Sequence, residues 1–142
     1  MIVQQLAIFV ENKMGKLSEI TKTMASHNIN LRALCIAETA DYGILRVIVD
    51  QPLEAHERLK AAGYTVTLNE MIVVGIADQP GSLSRILEVL AQNSIEVAYL
   101  YAFLSAARNN AAYVALRIDA GKEEQALEVL RENGCAGIDL VV

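Results

Sequence analysis

The sequence predicts an α+β fold made of two β-α-β-β-α-β units, the ferredoxin-like arrangement of an antiparallel sheet with two helices on one face. Three observations lead to it. The 142 residues, 54% apolar and 20% charged, suffice for one ordinary domain or two very small ones. Strand and helix periodicities follow the same order twice. Finally, the segment from Asn12 to Leu17 is repeated from Asp78 to Leu83, 66 residues later.

The same spacing of 66 residues pairs Gly15 with Gly81 and Ile20 with Ile86. It lengthens toward the end of the chain, which predicts a small insertion at residues 105–110 in the second copy. We therefore expect two domains, residues 1–69 and 70–142. Because the chain around position 70 contains no Gly, Ser or Pro linker, the two domains should pack together.

The first copy is predicted as strand 2–10, helix 15–27, strands 30–38 and 43–50, a helix from Pro52 to 62, and strand 64–70. Its first strand alternates apolar and polar residues, and its first helix shows the spacing of about 3.6 residues. Proline suits the first position of the second helix, and Gly63 suits its end. The second copy is predicted as strand 71–77, helix 81–93, strands 95–105 and 111–119, helix 121–133 and strand 136–142.

Apolar side chains on these elements predict the cores and an association surface. The residues expected under the sheets are Leu17, Ile20, Met24, Leu83, Ile86 and Leu90. In strand 43–50, Leu45, Val47 and Val49 can face the helices, so Ile44 and Ile48 point to the other face. Since both faces of the sheet are largely apolar, we expect a homodimer or a tighter assembly.

Charge and composition exclude several classes of protein. The net charge of −5 opposes nonspecific binding to nucleic acid or to an anionic membrane. No apolar run approaches the ~18 residues of a membrane span, and the N terminus lacks the pattern of a signal peptide, so we expect a cytoplasmic protein. Cys35 and Cys135 form no metal-binding spacing, and we expect no metal or cofactor. His27 and His56 have no recognisable catalytic partner, so we expect no enzyme activity.

The first turn of each copy is the candidate binding site. A strand ends, Asn12 or Asp78 follows, a glycine permits an unusual backbone angle, and a helix begins. The free backbone N–H groups of a helix start can hold a carboxylate. The alternative is that Asn12 and Asp78 only cap their helices.

These two turns resemble the signature of the ACT domain family. The motif Asp78-Gln-Pro-Gly-Ser-Leu83 precedes a helix and then Asn93-Ser94-Ile95-Glu96-Val97, and the first copy carries the related Glu11-Asn12-Lys-Met-Gly-Lys-Leu17. The resemblance covers the whole chain as two ACT units. It implies an amino-acid-binding regulatory protein whose domains pair edge to edge, with ligands between the turn of one domain and the second strand of its partner.

The first copy is also similar to the serine-binding regulatory domain of phosphoglycerate dehydrogenases, in which two asparagines hold the ligand. That resemblance implies roles for Asn12 and Asn30, whereas the second copy has Asp78 and Glu96 at these positions. Two carboxylates would repel a ligand carboxylate, so we expect the second copy to serve mainly as a partner surface. The residues that the resemblance assigns to ligand binding are Asn12, Met14, Gly15, Lys16, Leu17, Asn30, Asp78, Gly81, Ser82, Leu83 and Glu96.

The sequence thus predicts a stand-alone sensor or regulator of amino-acid metabolism that binds an α-amino acid. The alternative is a small interaction subunit that docks on a biosynthetic enzyme and has lost ligand binding.

Overall fold

The structure is a computed structural model that describes residues 1–104 and 111–135. These residues form six strands and four helices, which confirms the α+β class. In chain order they are β1 (Ile2–Glu11), α1 (Lys16–Ser26), β2 (Leu31–Glu38), β3 (Tyr42–Val49), α2 (Pro52–Ala61), β4 (Thr65–Ala77), α3 (Ser82–Gln92), β5 (Val97–Leu104), β6 (Ala111–Ile118) and α4 (Glu123–Glu132). The predicted insertion at 105–110 and strand at 136–142 lie outside the described residues.

Contacts divide the chain into an N-terminal unit, Gln4–Asn69, and a C-terminal unit, Glu70–Val142 together with Met1–Val3. The assignment of the first three residues differs from the expected domain 1–69, and backbone pairing explains it. The terminal ammonium of Met1 donates to the carbonyl of Val73 at 2.8 Å. The amide of Val73 donates back to the Met1 carbonyl at 2.8 Å. The chain therefore begins as a strand segment paired with β4.

Strand β4 differs from the prediction of two separate strands at 64–70 and 71–77. It runs without interruption for 13 residues. The predicted break at Asn69 and Glu70 contains neither glycine nor proline, and extended backbone can pass through both residues. The repeat boundary thus lies inside a strand.

In the N-terminal unit, β3 lies between β2 and β1, and both pairings are antiparallel. Strand β2 ends the sheet on that side. As predicted, Leu45, Val47 and Val49 are buried toward the helices. They share one core with Ile20 and Met24, which α1 contributes, and the packing of this face holds the β1–α1 turn in place.

Leu17 was predicted to belong to this core, and that prediction is wrong. Its side chain is 46% exposed. It lies in the first turn of α1 and lines a small surface cavity together with Ile36 of the edge strand. Helical spacing identified the apolar stripe of α1 but could not show that the stripe begins beyond the covered part of the sheet.

The C-terminal unit repeats the arrangement, with β6 between β4 and β5 in antiparallel register. Ile86 and Leu90 of α3 are buried in its core as predicted, whereas Leu83 is partly buried at its margin. On the opposite face of this sheet, Met71, Tyr113 and Ala115 are also buried. The apolar character of both sheet faces that the sequence indicated therefore corresponds to real burial on this side.

Candidate functional site

The two predicted turns have nearly the same backbone geometry. Gly15 and Gly81 are the N-caps of α1 and α3, with φ of 85° and 91° in the left-handed region that favours glycine. Neither helix start receives a hydrogen bond from a capping side chain. The alternative that Asn12 and Asp78 merely cap these helices is therefore wrong. The first-turn amides at both places are available to water or to a ligand.

In the N-terminal unit, Asn12 is held on the turn between β2 and β3. Its backbone amide donates to the carbonyl of Asp41 at 3.0 Å. Its side-chain Nδ2 donates to the carbonyl of Ala40 at 3.4 Å, a long bond on an exposed side chain. A bond of that length is weak. The asparagine is thus positioned by its backbone, while its side chain can turn to a ligand at low cost.

Charged side chains surround this turn. Lys13 Nζ lies 2.6 Å from Glu11 Oε2, and this contact lowers the pKa of Glu11. Lys16 Nζ lies 2.9 Å from Glu19 Oε2, which raises the pKa of Lys16 and lowers the pKa of Glu19. Lys16 also lines two cavities, of about 70 and 220 Å³. Its ammonium is therefore placed beside the free helix start, where a carboxylate would gain from both charges.

Asn30 lies at the other end of the same unit. It immediately precedes β2, and its backbone amide donates to Asp50 Oδ1 at 2.9 Å. The β-sheet register places Glu11 against Tyr42 but Leu31 against Val49. The length of β2 separates the two ends by about 23 Å at 3.3 Å per residue. One unit therefore does not bring Asn12 and Asn30 to the same ligand.

Of the other predicted N-terminal residues, Met14 points into solvent and Gly15 forms the cap. Leu17 contributes its exposed side chain to the cavity that Asn12 and Lys16 also line. The structure thus brings the predicted residues of the first turn together and leaves Asn30 apart.

The C-terminal turn borders a larger cavity, of about 330 Å³. Its lining includes Gln79, Gly81, Ser82 and Arg85. Arg85 Nη2 donates to the carbonyl of Asn133 at 3.0 Å, which holds the guanidinium on the rim. Its other N–H groups keep capacity for a carboxylate.

The remaining predicted residues of the second copy lie outside this lining. Asp78 and Glu96 are exposed and do not line the cavity, and Leu83 packs against the core. The repulsion that the sequence suggested between these carboxylates and a ligand therefore does not act inside the cavity. The second turn is more open to an anion than its sequence indicated.

Arg85 is the residue that sequence reasoning missed. The repeat itself contained the signal, because the spacing of 66 residues aligns Arg85 with Glu19 and Ser82 with Lys16. The two copies therefore exchange charge on the first turns of α1 and α3. Each turn offers one cation near its helix start, Lys16 in one copy and Arg85 in the other.

Metal and membrane functions find no support in the part of the chain that the structure describes. No three His, Cys, Asp or Glu side chains among residues 1–104 and 111–135 lie together as metal ligands would. Over the same residues, no helix combines the length and the apolar character of a membrane-crossing segment.

Comparisons with known proteins agree with this architecture. The protein BT0572 from Bacteroides thetaiotaomicron is 40% identical and has a TM-score of 0.85, covering 94% of this chain and 90% of its own. The regulatory subunit of aspartate kinase from Thermus thermophilus, in its ligand-free form, is 17% identical with a TM-score of 0.65, covering 91% and 90% of the two chains. The corresponding subunit from Thermus flavus is 16% identical with a TM-score of 0.60, covering 92% and 91%.

Similarity at 16–17% identity shows a shared fold alone. No curated protein sequence matches significantly. A family model described as the ACT domain pair matches residues 1–139. With the repeated strand, left-handed glycine and helix, this match shows that the chain belongs to the ACT domain pair family, a family of regulatory modules.

Proposed function

We propose that this protein is a regulator of amino-acid metabolism that binds a small α-amino acid at its first turns. The observation that carries the proposal is the uncapped helix start behind a left-handed glycine, present in both copies. Each start has a neighbouring cation, so each can receive the carboxylate that all α-amino acids share. Membership of the family supports the regulatory role, as do the two aspartate kinase regulatory subunits that share the fold.

At the N-terminal turn, the ligand carboxylate would accept from the amides of Gly15 to Leu17 and lie beside Lys16 Nζ. The side-chain oxygen of Asn12 would accept from the ligand ammonium. Because Asn30 lies at the far end of the same unit, it can contribute only from a second chain. The complete site therefore requires a homodimer.

The C-terminal turn is a second candidate for the same chemistry. Its cavity is larger, and Arg85 supplies a planar donor pair that fits a carboxylate. A single chain supplies all of this lining. We propose that the two turns differ in ligand affinity, since one depends on a partner and the other does not.

A different function, docking on a biosynthetic enzyme with ligand binding lost, has one observation in its favour. The N-terminal unit exposes several large apolar side chains on its sheet, and Phe9 and Tyr42 stack there with ring centroids 4.8 Å apart. Exposed apolar patches of this kind mark interaction surfaces.

A thermal-shift panel over the twenty amino acids separates the two functions. A ligand at 100 times its dissociation constant adds about 2.7 kcal/mol to the free energy of unfolding. Calorimetry on Asn12→Ala and Arg85→Ala then assigns the site, because each change removes a donor or acceptor from one turn only. If no amino acid at millimolar concentration shifts the melting temperature, the amino-acid-binding proposal is wrong and the docking function is favoured.

A further inference from the structure

Strand β2 presents an open edge with apolar side chains. Among the described residues it pairs with β3 alone. Leu34 and Ile36 lie on the helix side of the sheet, opposite Val47 and Leu45, yet they are 57% and 46% exposed. The two helices do not reach this far. An open strand edge of this kind is a template for another strand.

The backbone groups along this edge point outward at alternate residues. The amide of Thr39 donates to the carbonyl of Tyr42 at 2.7 Å, so this odd-numbered residue faces β3. The register continues without a shift from Glu38 back to Ala33. Because peptide groups alternate along a strand, Leu34 and Ile36 direct their N–H and C=O groups away from β3. These groups are placed to form a new ladder.

We propose that β2 pairs antiparallel with β2 of a second copy of this chain, about a two-fold axis at Cys35. The proposal deepens the proposed function and rests on it only for the ligand site. In this register Leu34 lies opposite the partner's Ile36, and Arg32 lies opposite the partner's Glu38. The strand is thus complementary to itself in charge as well as in apolar contact.

Neighbouring registers lose this complementarity. Side chains that oppose each other must lie on the same face, so the axis can move only by whole residues along β2. An axis at Leu34 places Arg32 opposite Ile36 and Glu38 opposite Asn30. An axis at Ile36 places Glu38 opposite Leu34. Both alternatives leave a charged side chain facing an apolar one, and only the axis at Cys35 pairs the two charges.

The pairing also completes the ligand site of the proposed function. The end of β2 at Glu38 pairs with Gly43, beside Tyr42 and Glu11, and so lies at the end of the unit that holds Asn12. In an antiparallel dimer the partner's β2 begins at this same end. The partner's Asn30 is therefore brought toward Asn12, which no single unit achieves.

Cys35 provides a direct readout of the register. Because Leu34 and Ile36 carry the outward hydrogen bonds, Cys35 forms a non-hydrogen-bonded pair with its own copy. Such pairs have Cα atoms about 4.5 Å apart, within the range that a disulfide spans. Oxidation should therefore link the two chains covalently. Burial raises the pKa of the Cys35 thiol, so the reaction should be run at about pH 8.5.

The first experiment oxidises the ligand-free protein with diamide and separates the products on a non-reducing gel. We expect a covalent dimer for the unchanged chain and for Cys135→Ala, and none for Cys35→Ala. A monomer by light scattering at tens of micromolar overturns the proposal. A dimer that Cys35 does not cross-link overturns it as well, since the strands would then pair elsewhere, for example through β5.

The second experiment exchanges charges at the two exposed ends of β2. Arg32→Glu and Glu38→Arg should each weaken the dimer roughly tenfold or more, because each creates two like-charge pairs. The double variant should restore the dissociation constant to within a few-fold of the original. Within one chain these positions are about 20 Å apart at 3.3 Å per residue, too far for direct rescue. Failure of the double variant to recover overturns the register.

Both experiments use protein without amino acid. Their failure would therefore leave the thermal-shift result intact, and a negative thermal-shift panel would leave the dimer intact.

Discussion

Truncation of Leu59 tests whether the N-terminal unit has the packed core that positions its first turn. Leu59 lies on α2, is fully buried, and belongs to the same core as Ile20 and Met24. Leu53 lies on the same helix but is 64% exposed. The pair Leu59→Ala and Leu53→Ala therefore makes the same chemical change in two environments on one helix.

The expected magnitude follows from burial. Removing three buried carbons loses about 2.4 kcal/mol of transfer free energy at ~0.8 kcal/mol each. The cavity left behind brings the total for Leu→Ala in a packed core to about 3–5 kcal/mol. At the exposed Leu53, where surface substitutions have small effects, the loss should stay below about 1 kcal/mol.

Urea unfolding followed by circular dichroism measures both variants, and the m-value shows whether the comparison is valid. We expect a large fall in the midpoint for Leu59→Ala at an unchanged m-value, and a small one for Leu53→Ala. Equal losses, or a loss below about 1 kcal/mol at Leu59, would refute the assignment of α2 as a core helix.

Three further predictions concern the turns and the thiols. Asn12→Ala should weaken amino-acid binding ten- to a hundredfold, the equivalent of about 1.5–3 kcal/mol, while Asp78→Ala should weaken it less, and calorimetry on both decides whether the first turn binds. Gly81→Ala should lower the free energy of unfolding by about 1–2 kcal/mol through its positive φ alone, since open space surrounds the new methyl group, and urea unfolding measures the loss. Cys35 should be alkylated with a pH midpoint above that of an ordinary cysteine because burial raises its pKa more than Arg46 lowers it, which also makes its contribution to stability full at neutral pH and smaller as pH rises through that pKa.

The order of elements could be predicted because local signals agree at nearly every boundary. Pro52 begins α2 as expected, and Gly63 follows its end with a φ of 92°. The break predicted within β4 failed for a physical reason. The repeat shows where one copy ends, but only a turn residue interrupts a strand, and Asn69 and Glu70 provide none. Repetition and chain geometry are separate signals here.

The candidate site was predicted in part. The glycine turns depend on local backbone geometry, so the motif alone located Gly15 and Gly81 correctly at the helix starts. The relation of Asn12 to Asn30 depends on strand length and direction, which no motif reports. Arg85 remained unnoticed because a lone charge on a helix is usually solvated, and only the packing beside Asn133 places it on a cavity rim.

The exposure of Leu17 connects the fold to the proposed dimer. A core leucine at this position would have been covered by the sheet, yet it is half exposed beside Ile36. Both side chains lie where the sheet ends, and both would be covered by a second copy paired along β2. The failed core prediction therefore has the same physical origin as the open edge. In this interpretation the ligand turn, the apolar edge and the charge pattern of β2 are parts of one interface, so ligand affinity at the first turn should depend on protein concentration, whereas affinity at the C-terminal cavity should not.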